Sequence, residues 1–159
     1  MDFSIRNANQ KDYKGICELF AEVDLLRHKN LPHVFQTADG PVRTKKFICD
    51  TIADEDAGLF AALKGRQIIG LILVLIHETS GSSTLLPLRY ARIGDLAVRK
   101  GFRRFGVGQS LVEKAHQWSL DKGITEVELN VGDFNKEAII FFKMLGYKTI
   151  RRTMWISLR

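Results

Sequence analysis

Apolar residues recur along this chain in two periods, and the switches between them delimit its elements. Phe3 and Ile5 alternate with polar neighbours up to Arg6, which predicts a strand. Asn9 is placed to cap a helix, and Tyr13, Ile16, Cys17, Phe20 and Val23 then fall on one helical face. Leu31-Pro32-His33 through Gly40-Pro41 reads as loop. A second helix turns Phe47, Ile48 and Ile52 inward and stops around Asp54 to Asp56. From there the period changes. Leu59 to Leu63 and Gln67 to Ile76 read as strands joined by Lys64-Gly65-Arg66, a glycine-containing hairpin connection.

After a loop at Ser80-Gly81-Ser82-Ser83, Tyr90 to Val98 is a further strand. A helix over Gly106 to Lys122 has Val107, Leu111, Ala115 and Trp118 as its inner stripe and ends at Gly123. Val127, Leu129 and Val131 alternate with Glu126, Glu128 and Asn130 in the next strand. A short helix from Asn135 buries Ala138, Phe141, Phe142 and Leu145 and stops at Gly146, and Tyr147 to Leu158 is extended again. The order β-α-α-β-β-β-α-β-α-β, without repeats, predicts one α/β domain over residues 1–159 with helices flanking a mixed sheet.

Composition narrows the class. A chain of 159 residues, 45% hydrophobic and 26% charged, has the profile of a soluble globular protein. The apolar run Ile68 to Ile76 is too short to span a bilayer, and Met1 to Arg6 does not begin like a signal peptide, so a cytoplasmic protein without membrane association is expected. Cys17 and Cys49 sit among apolar residues and read as buried thiols, and with four scattered histidines they give no zinc spacing, so no metal is expected. The 24 Lys and Arg against 18 Asp and Glu leave a net charge of +6, which suits a polyanionic partner, either nucleic acid or a phosphorylated cofactor.

Where the basic residues cluster is informative. Arg99, Lys100, Arg103 and Arg104 lie between the strand ending at Val98 and a helix that opens with Gly106 and Gly108. The first N–H groups of a helix lack internal partners and the helix dipole favours anions there. Glycines without side chains let phosphate oxygens reach that backbone. The same glycines would equally serve tight strand–helix packing, and the residues alone leave both readings open. The turn is not a P-loop, because no Gly-Lys-Ser/Thr follows, and the third glycine of a dinucleotide fingerprint would fall at Leu111.

The segment Arg103-x-x-Gly106-x-Gly108, preceded by Asp95-Leu96-Ala97-Val98, resembles the Arg/Gln-x-x-Gly-x-Gly/Ala pyrophosphate loop of the GNAT superfamily of N-acetyltransferases. Downstream, Asn135-x-x-Ala138-x-x-Phe141-Phe142-x-x-x-Gly146-Tyr147 resembles that superfamily's Asn-x-x-Ala-x-x-Phe-Tyr-x-x-x-Gly-Phe signature. The element order agrees over nearly the whole chain and is least alike between Arg27 and Asp56.

The resemblance implies a transferase that moves the acetyl group of acetyl-CoA onto a primary amine of a small molecule or peptide. Leu96, Ala97 and Val98 would pair with the pantetheine arm, and Arg103, Arg104, Phe105, Gly106, Val107, Gly108 and Gln109 would hold the pyrophosphate. Asn135 would orient cofactor or acceptor, or cap its helix, and Phe142 would pack against the cofactor arm. The family's acid is the tyrosine of Phe-Tyr; Phe142 stands there and cannot donate a proton, which leaves water, Tyr90 or Tyr147. Asp95 is the first choice of base, ahead of Glu78 and His33, and the plain alternative for Asp95 is a solvated or salt-bridged carboxylate. His33, Phe35 and Asn130 are placed toward the acceptor, with the loop from His28 to Arg43 covering it. Relatives that pair through sheet edges make a homodimer an open expectation. The rival readings are a CoA-binding module without turnover, motivated by Phe142, and a basic nucleic-acid-binding domain, motivated by the charge.

Overall fold

The computed structural model describes residues 1–37, 39–40 and 43–159. Five strands form one sheet in the order β1 (Ser4–Asn7), β2 (Ala57–Lys64), β3 (Gln67–Thr79), β4 (Leu88–Val98) and β5 (Val127–Leu129). The first four are antiparallel, and β5 joins β4 in parallel. Helices α1 (Tyr13–Asn30) and α2 (Lys45–Ala53) cover one face; α3 (Val107–Asp121) and α4 (Lys136–Met144) cover the other. Asn9 caps a single 3-10 turn, Gln10–Asp12, which runs directly into α1.

Because both faces are covered, the central strands are apolar without interruption. Leu59, Ala61, Leu63, Leu71 and Leu73 pack under Ile16, Leu19, Phe20 and Ile48 of α1 and α2. Phe60, Ala62, Ile69, Ile72, Val74, Ala91 and Ile93 pack under Val107, Leu111, Val112, Ala115 and Phe142 of α3 and α4. Gly70 sets the approach of α3: a Cβ there would lie 3.1 Å from both the Ala97 carbonyl oxygen and Leu111.

The expected final strand does not form. Residues 147–159 pair with no strand among the described residues, and Ile150, Met154, Ile156 and Leu158 are exposed. The neighbouring edge belongs to β5, which is 3 residues long and offers little ladder to continue. Trp155 instead lies on His33, ring centroids 4.0 Å apart. The strand expected over Val127 to Val131 also stops early, at Leu129. Cys17 and Cys49 are free thiols, and Cys17 Sγ donates to the Arg43 carbonyl over 3.1 Å. Among the described residues, no helix is long and apolar enough to cross a membrane.

Candidate functional site

The site begins where two strands part. β4 and β5 pair only through Ala91–Val127, Arg92–Glu128 and Ile93–Leu129, whereas β4 runs on to Val98 beside β3. From Gly94 to Val98, therefore, the β4 edge that faced β5 has no strand partner among the described residues. A bulge starts the separation: Val74 opposes Ile93 but Leu73 opposes Asp95, so Gly94 is the extra residue. The bulge also inverts the faces. Ala91 and Ile93 point to α3 and α4, while Asp95 and Ala97 point to α1 and α2. Leu96 and Val98 turn toward the α3–α4 core, with their backbone on the open edge.

Below that edge lies the basic turn. The chain leaves β4 through a 3-10 turn at Lys100–Phe102, and Arg103 folds back so that its Nε donates to the Val98 carbonyl at 2.9 Å. The backbone then enters the left-handed region at Arg104 (φ 65) and at Gly106 (φ 83). Such alternation turns successive N–H groups toward one point and makes an anion-binding concavity. Helix α3 follows with no side-chain cap, and its first backbone bond within the helix runs from Ser110 N to the Gly106 carbonyl. The N–H groups of Val107, Gly108 and Gln109 thus have no protein acceptor among the described residues. The Gln109 side chain donates to Glu113 at 2.9 Å. A Cβ on Gly108 would lie 3.4 Å from Phe141 and 3.8 Å from Val98, so a larger side chain would fill the space between helix and strand. Phe105 is exposed, and Val107 is buried under the sheet. An unpaired strand edge leading into free amides and arginines fits a pantetheine arm ending in a pyrophosphate.

Asp95 sits on the opposite face, in an ion cluster. Its Oδ1 accepts from Arg27 Nη2 at 2.7 Å, and its Oδ2 lies 3.7 Å from Arg43 Nη2. Asp24 completes the cluster through Arg43 and, at 3.6 Å, Arg27. Arg43 also lies over the Phe20 ring, 4.3 Å from its centroid. Asp95 is 8% exposed. Burial pushes its carboxyl above the ordinary carboxylate range, outweighing the pull of Arg27 and Arg43. With both oxygens engaged by guanidinium groups, Asp95 is presented as an anchor for α1 and Arg43, the salt-bridged alternative, and not as a free base.

The other expected residues divide. Phe142 is 8% exposed and packs edge-on against Phe141 and Tyr147 inside the α3–α4 core; it is Phe141 that reaches Gly108. Asn135 caps α4, its Oδ1 accepting from Ala138 N at 3.2 Å. His33 is exposed beneath Trp155, and Phe35 lies beside Arg27. Of the covering loop, residues 38, 41 and 42 lie outside the described residues. Asn130 is exposed just past the end of β5. Glu78 is paired with Arg89 at 2.9 Å near the far end of β3. Tyr90 accepts from Arg92 at 3.1 Å, and Tyr147 lies 2.6 Å from His116 Nε2. Burial raises the Tyr147 hydroxyl to about 12 and lowers the imidazole of His116. Four charged groups of this face, Arg27, Arg43, Arg92 and Glu128, are not legible as neighbours in the sequence. Arg27 is 68 positions from its partner Asp95. Only the alternation of charge with apolar residues in β5 singled out Glu128's face.

A chain with this divided sheet and basic turn is an acyltransferase in architecture, and comparison with known proteins agrees. Residues 20–147 match the Acetyltransferase (GNAT) family, and the protein belongs to it. It is 31% identical over 162 aligned positions to the thialysine N-epsilon-acetyltransferase of Mus musculus, covering 98% of this chain and 90% of that one. Against the Caenorhabditis elegans enzyme of the same name it is 33% identical over 104 residues, 61% of this chain and 65% of the relative. An uncharacterized N-acetyltransferase of Methanocaldococcus jannaschii is 32% identical over 95 residues, 60% of this chain and 40% of its own length. In fold, the chain superposes on a mutant of the Bacillus halodurans protein BH1408 with a TM-score of 0.91 at 23% identity, covering 98% and 99% of the two chains. An aminoglycoside acetyltransferase from a soil metagenome gives 0.67 at 20% identity, over 99% and 97%.

Proposed function

We propose that the protein is an acetyl-CoA-dependent N-acetyltransferase that acetylates a primary amine of a small molecule or peptide by direct attack on the thioester. The observation that carries this reading is the unpaired β4 edge from Gly94 to Val98 ending at the free amides of Val107, Gly108 and Gln109. In this reading the backbone of Leu96, Ala97 and Val98 aligns the pantetheine arm. The turn from Arg103 to Gln109 receives the pyrophosphate. Bound acetyl-CoA supplies an acyl group on a thiol leaving group. In this reading backbone N–H groups of the open edge, at the bulge, polarise the acyl carbonyl. Phe142 has no proton to give and Tyr147 is committed to His116, so the departing thiolate takes its proton from water. The acceptor reaches the edge from the α1–α2 face, past Phe35, His33 and Asn130.

Two of the relatives bear the name of thialysine, an amino acid with a primary amine on its side chain, which puts small amino-acid amines first among acceptors to test. Residues 1–159 act as one N-acetyltransferase domain in this reading, in the cytoplasm, where free Cys17 and Cys49 are kept reduced. Phe142 favours one second reading, a CoA-binding module without turnover.

Thermal unfolding with and without acetyl-CoA tests the foundation. Ligand at about 100 times its dissociation constant adds roughly 2.7 kcal/mol, which raises Tm by several degrees in a domain of this size. No rise at saturation removes the transferase reading. A rise followed by free-thiol release with thialysine, lysine or n-butylamine supports it, and a rise with no thiol from any of them favours the silent binder.

A further inference from the structure

Two side chains near the point where β4 and β5 part have no role in that reading. Arg92 and Glu128 face each other across β4 and β5, one pair before the strands separate at Ile93 and Leu129. Ala91, Ile93, Val127 and Leu129 all turn to the α3–α4 core, so Arg92 and Glu128 occupy the other face, the face of Asp95. Asp95 and Ala97 of β4 are buried on this face beside α1, whereas Arg92 and Glu128 are only partly covered. The two side chains keep 31% and 30% of their surface.

Arg92 uses two donors on one oxygen. Nε and Nη2 reach Glu128 Oε1 at 2.9 and 2.5 Å. Nη2 also donates to the Tyr90 hydroxyl at 3.1 Å, and the Tyr90 ring stacks on His77 with centroids 5.6 Å apart. The arginine is therefore held by the sheet, and it holds the carboxylate by one oxygen. The second oxygen, Oε2, accepts from no protein donor among the described residues. A fixed carboxylate with one free oxygen, open to solvent where the strands part, is suited to an organic cation.

We infer that Glu128 docks the acceptor's ammonium group through Oε2 and takes its first proton, with Arg92 as the positioning residue. The inference rests on the N-acetyltransferase reading and names the residue that reading lacks. The step balances. The ammonium gives one proton to Glu128, which passes it to solvent. The freed nitrogen pair forms the C–N bond to the acyl carbon, the C–S bond breaks, and the second N–H proton leaves with the sulfur as thiol, carried by water. Were the pair only a cross-strand ion bridge, it would support the sheet and leave the amine indifferent to it.

The test compares wild type with Glu128→Gln, which keeps the shape and an oxygen for Arg92, and with Glu128→Asp, which keeps the charge. Thialysine, lysine and n-butylamine serve as acceptors, with free-thiol release as the kinetic readout. Calorimetry of each amine on the CoA-saturated protein is the binding readout. For Glu128→Gln, kcat/KM for the amine should fall about tenfold or more, as for loss of a charged hydrogen bond, and amine affinity should fall with it. Affinity for CoA and Tm should stay, and Glu128→Asp should recover part of the loss. Wild-type thiol release with Glu128→Gln within about threefold in kcat/KM would overturn the inference and leave the transferase reading standing. Equal losses of amine affinity, CoA affinity and Tm would mark a structural pair and overturn it too. Wild type that binds acetyl-CoA yet releases no thiol with any of the three amines ends both.

Discussion

Arg27 of α1 donates its Nη2 to Oδ1 of Asp95 across 2.7 Å, so the β4 bulge is tied to the helix that covers this face of the sheet. The bond joins positions 68 apart in sequence and turns the most attractive candidate base into an anchor. Whether that carboxylate stabilises the fold is decided by burial against Coulomb attraction, and here burial is larger.

Asp95→Asn tests this in two ways. Because the folded carboxyl stands above its ordinary range, its contribution is present below that range and is lost as pH rises through the folded value. The permanently neutral asparagine should remove that part of the pH dependence and cost less than about 1 kcal/mol at neutral pH, where a fully productive buried pair would cost about 3–5. A general base would lose about 100-fold or more in kcat on this change; the expected loss is under about tenfold. Tm across pH and kcat at one pH supply both numbers.

Gly108→Leu should weaken acetyl-CoA binding by about tenfold or more, roughly 1.4 kcal/mol, because the new side chain enters the space bounded by Phe141 and Val98. Changing Arg103 and Arg104 together to alanine should also raise the apparent constant for acetyl-CoA, with less effect on kcat. That loss should shrink as salt is added, since exposed charges are screened. Calorimetry at two salt concentrations separates the steric effect from the electrostatic one.

Asn135 has an observed structural task and a proposed functional one. Asn135→Ala removes the bond to Ala138 N and should cost about 1 kcal/mol, or about 2–4 °C in Tm. Asn135→Asp restores the cap and should restore Tm. If acetyl-CoA affinity follows Tm through both variants, the residue acts as a cap; if it falls in both while Tm recovers, the side-chain amide itself meets the cofactor.

His116 and Tyr147 lock the end of α4 to α3. The imidazole is held below its ordinary value by burial, so its contribution to stability is full above about 6.5 and is lost as pH falls through the folded value. Tm should therefore drop between neutral and mildly acidic pH, and His116→Gln should flatten that drop. Tyr147→Phe removes the 2.6 Å contact and should cost about 1 kcal/mol at neutral pH. Thermal unfolding at two pH values gives the Tm changes, and urea unfolding at neutral pH gives the Tyr147→Phe cost.

The sequence by itself determined every element but the last, and the basic turn before α3. Both are local: the apolar runs of β2 and β3, the alternation in β5 and the inward stripes of α1, α3 and α4 depend only on neighbouring residues, as does the meeting of Arg103, Arg104, Gly106 and Gly108 at the mouth of α3. What tertiary structure decided is which side chains share a face. Period-two counting puts Asp95 beside Ala91 and Ile93, under α3; one extra residue at Gly94 moves it to α1, between Arg27 and Arg43. Phe142 matched its motif position, yet packing inside the core made Phe141 the ring beside Gly108. The tail has strand-like composition, and no long edge remained for it to pair with. Arg92 meets Glu128 because the parallel register of β5 on β4 sets the two opposite each other. Register and bulges arise from contacts between distant segments, so they set the site's charges while leaving no local mark in the chain.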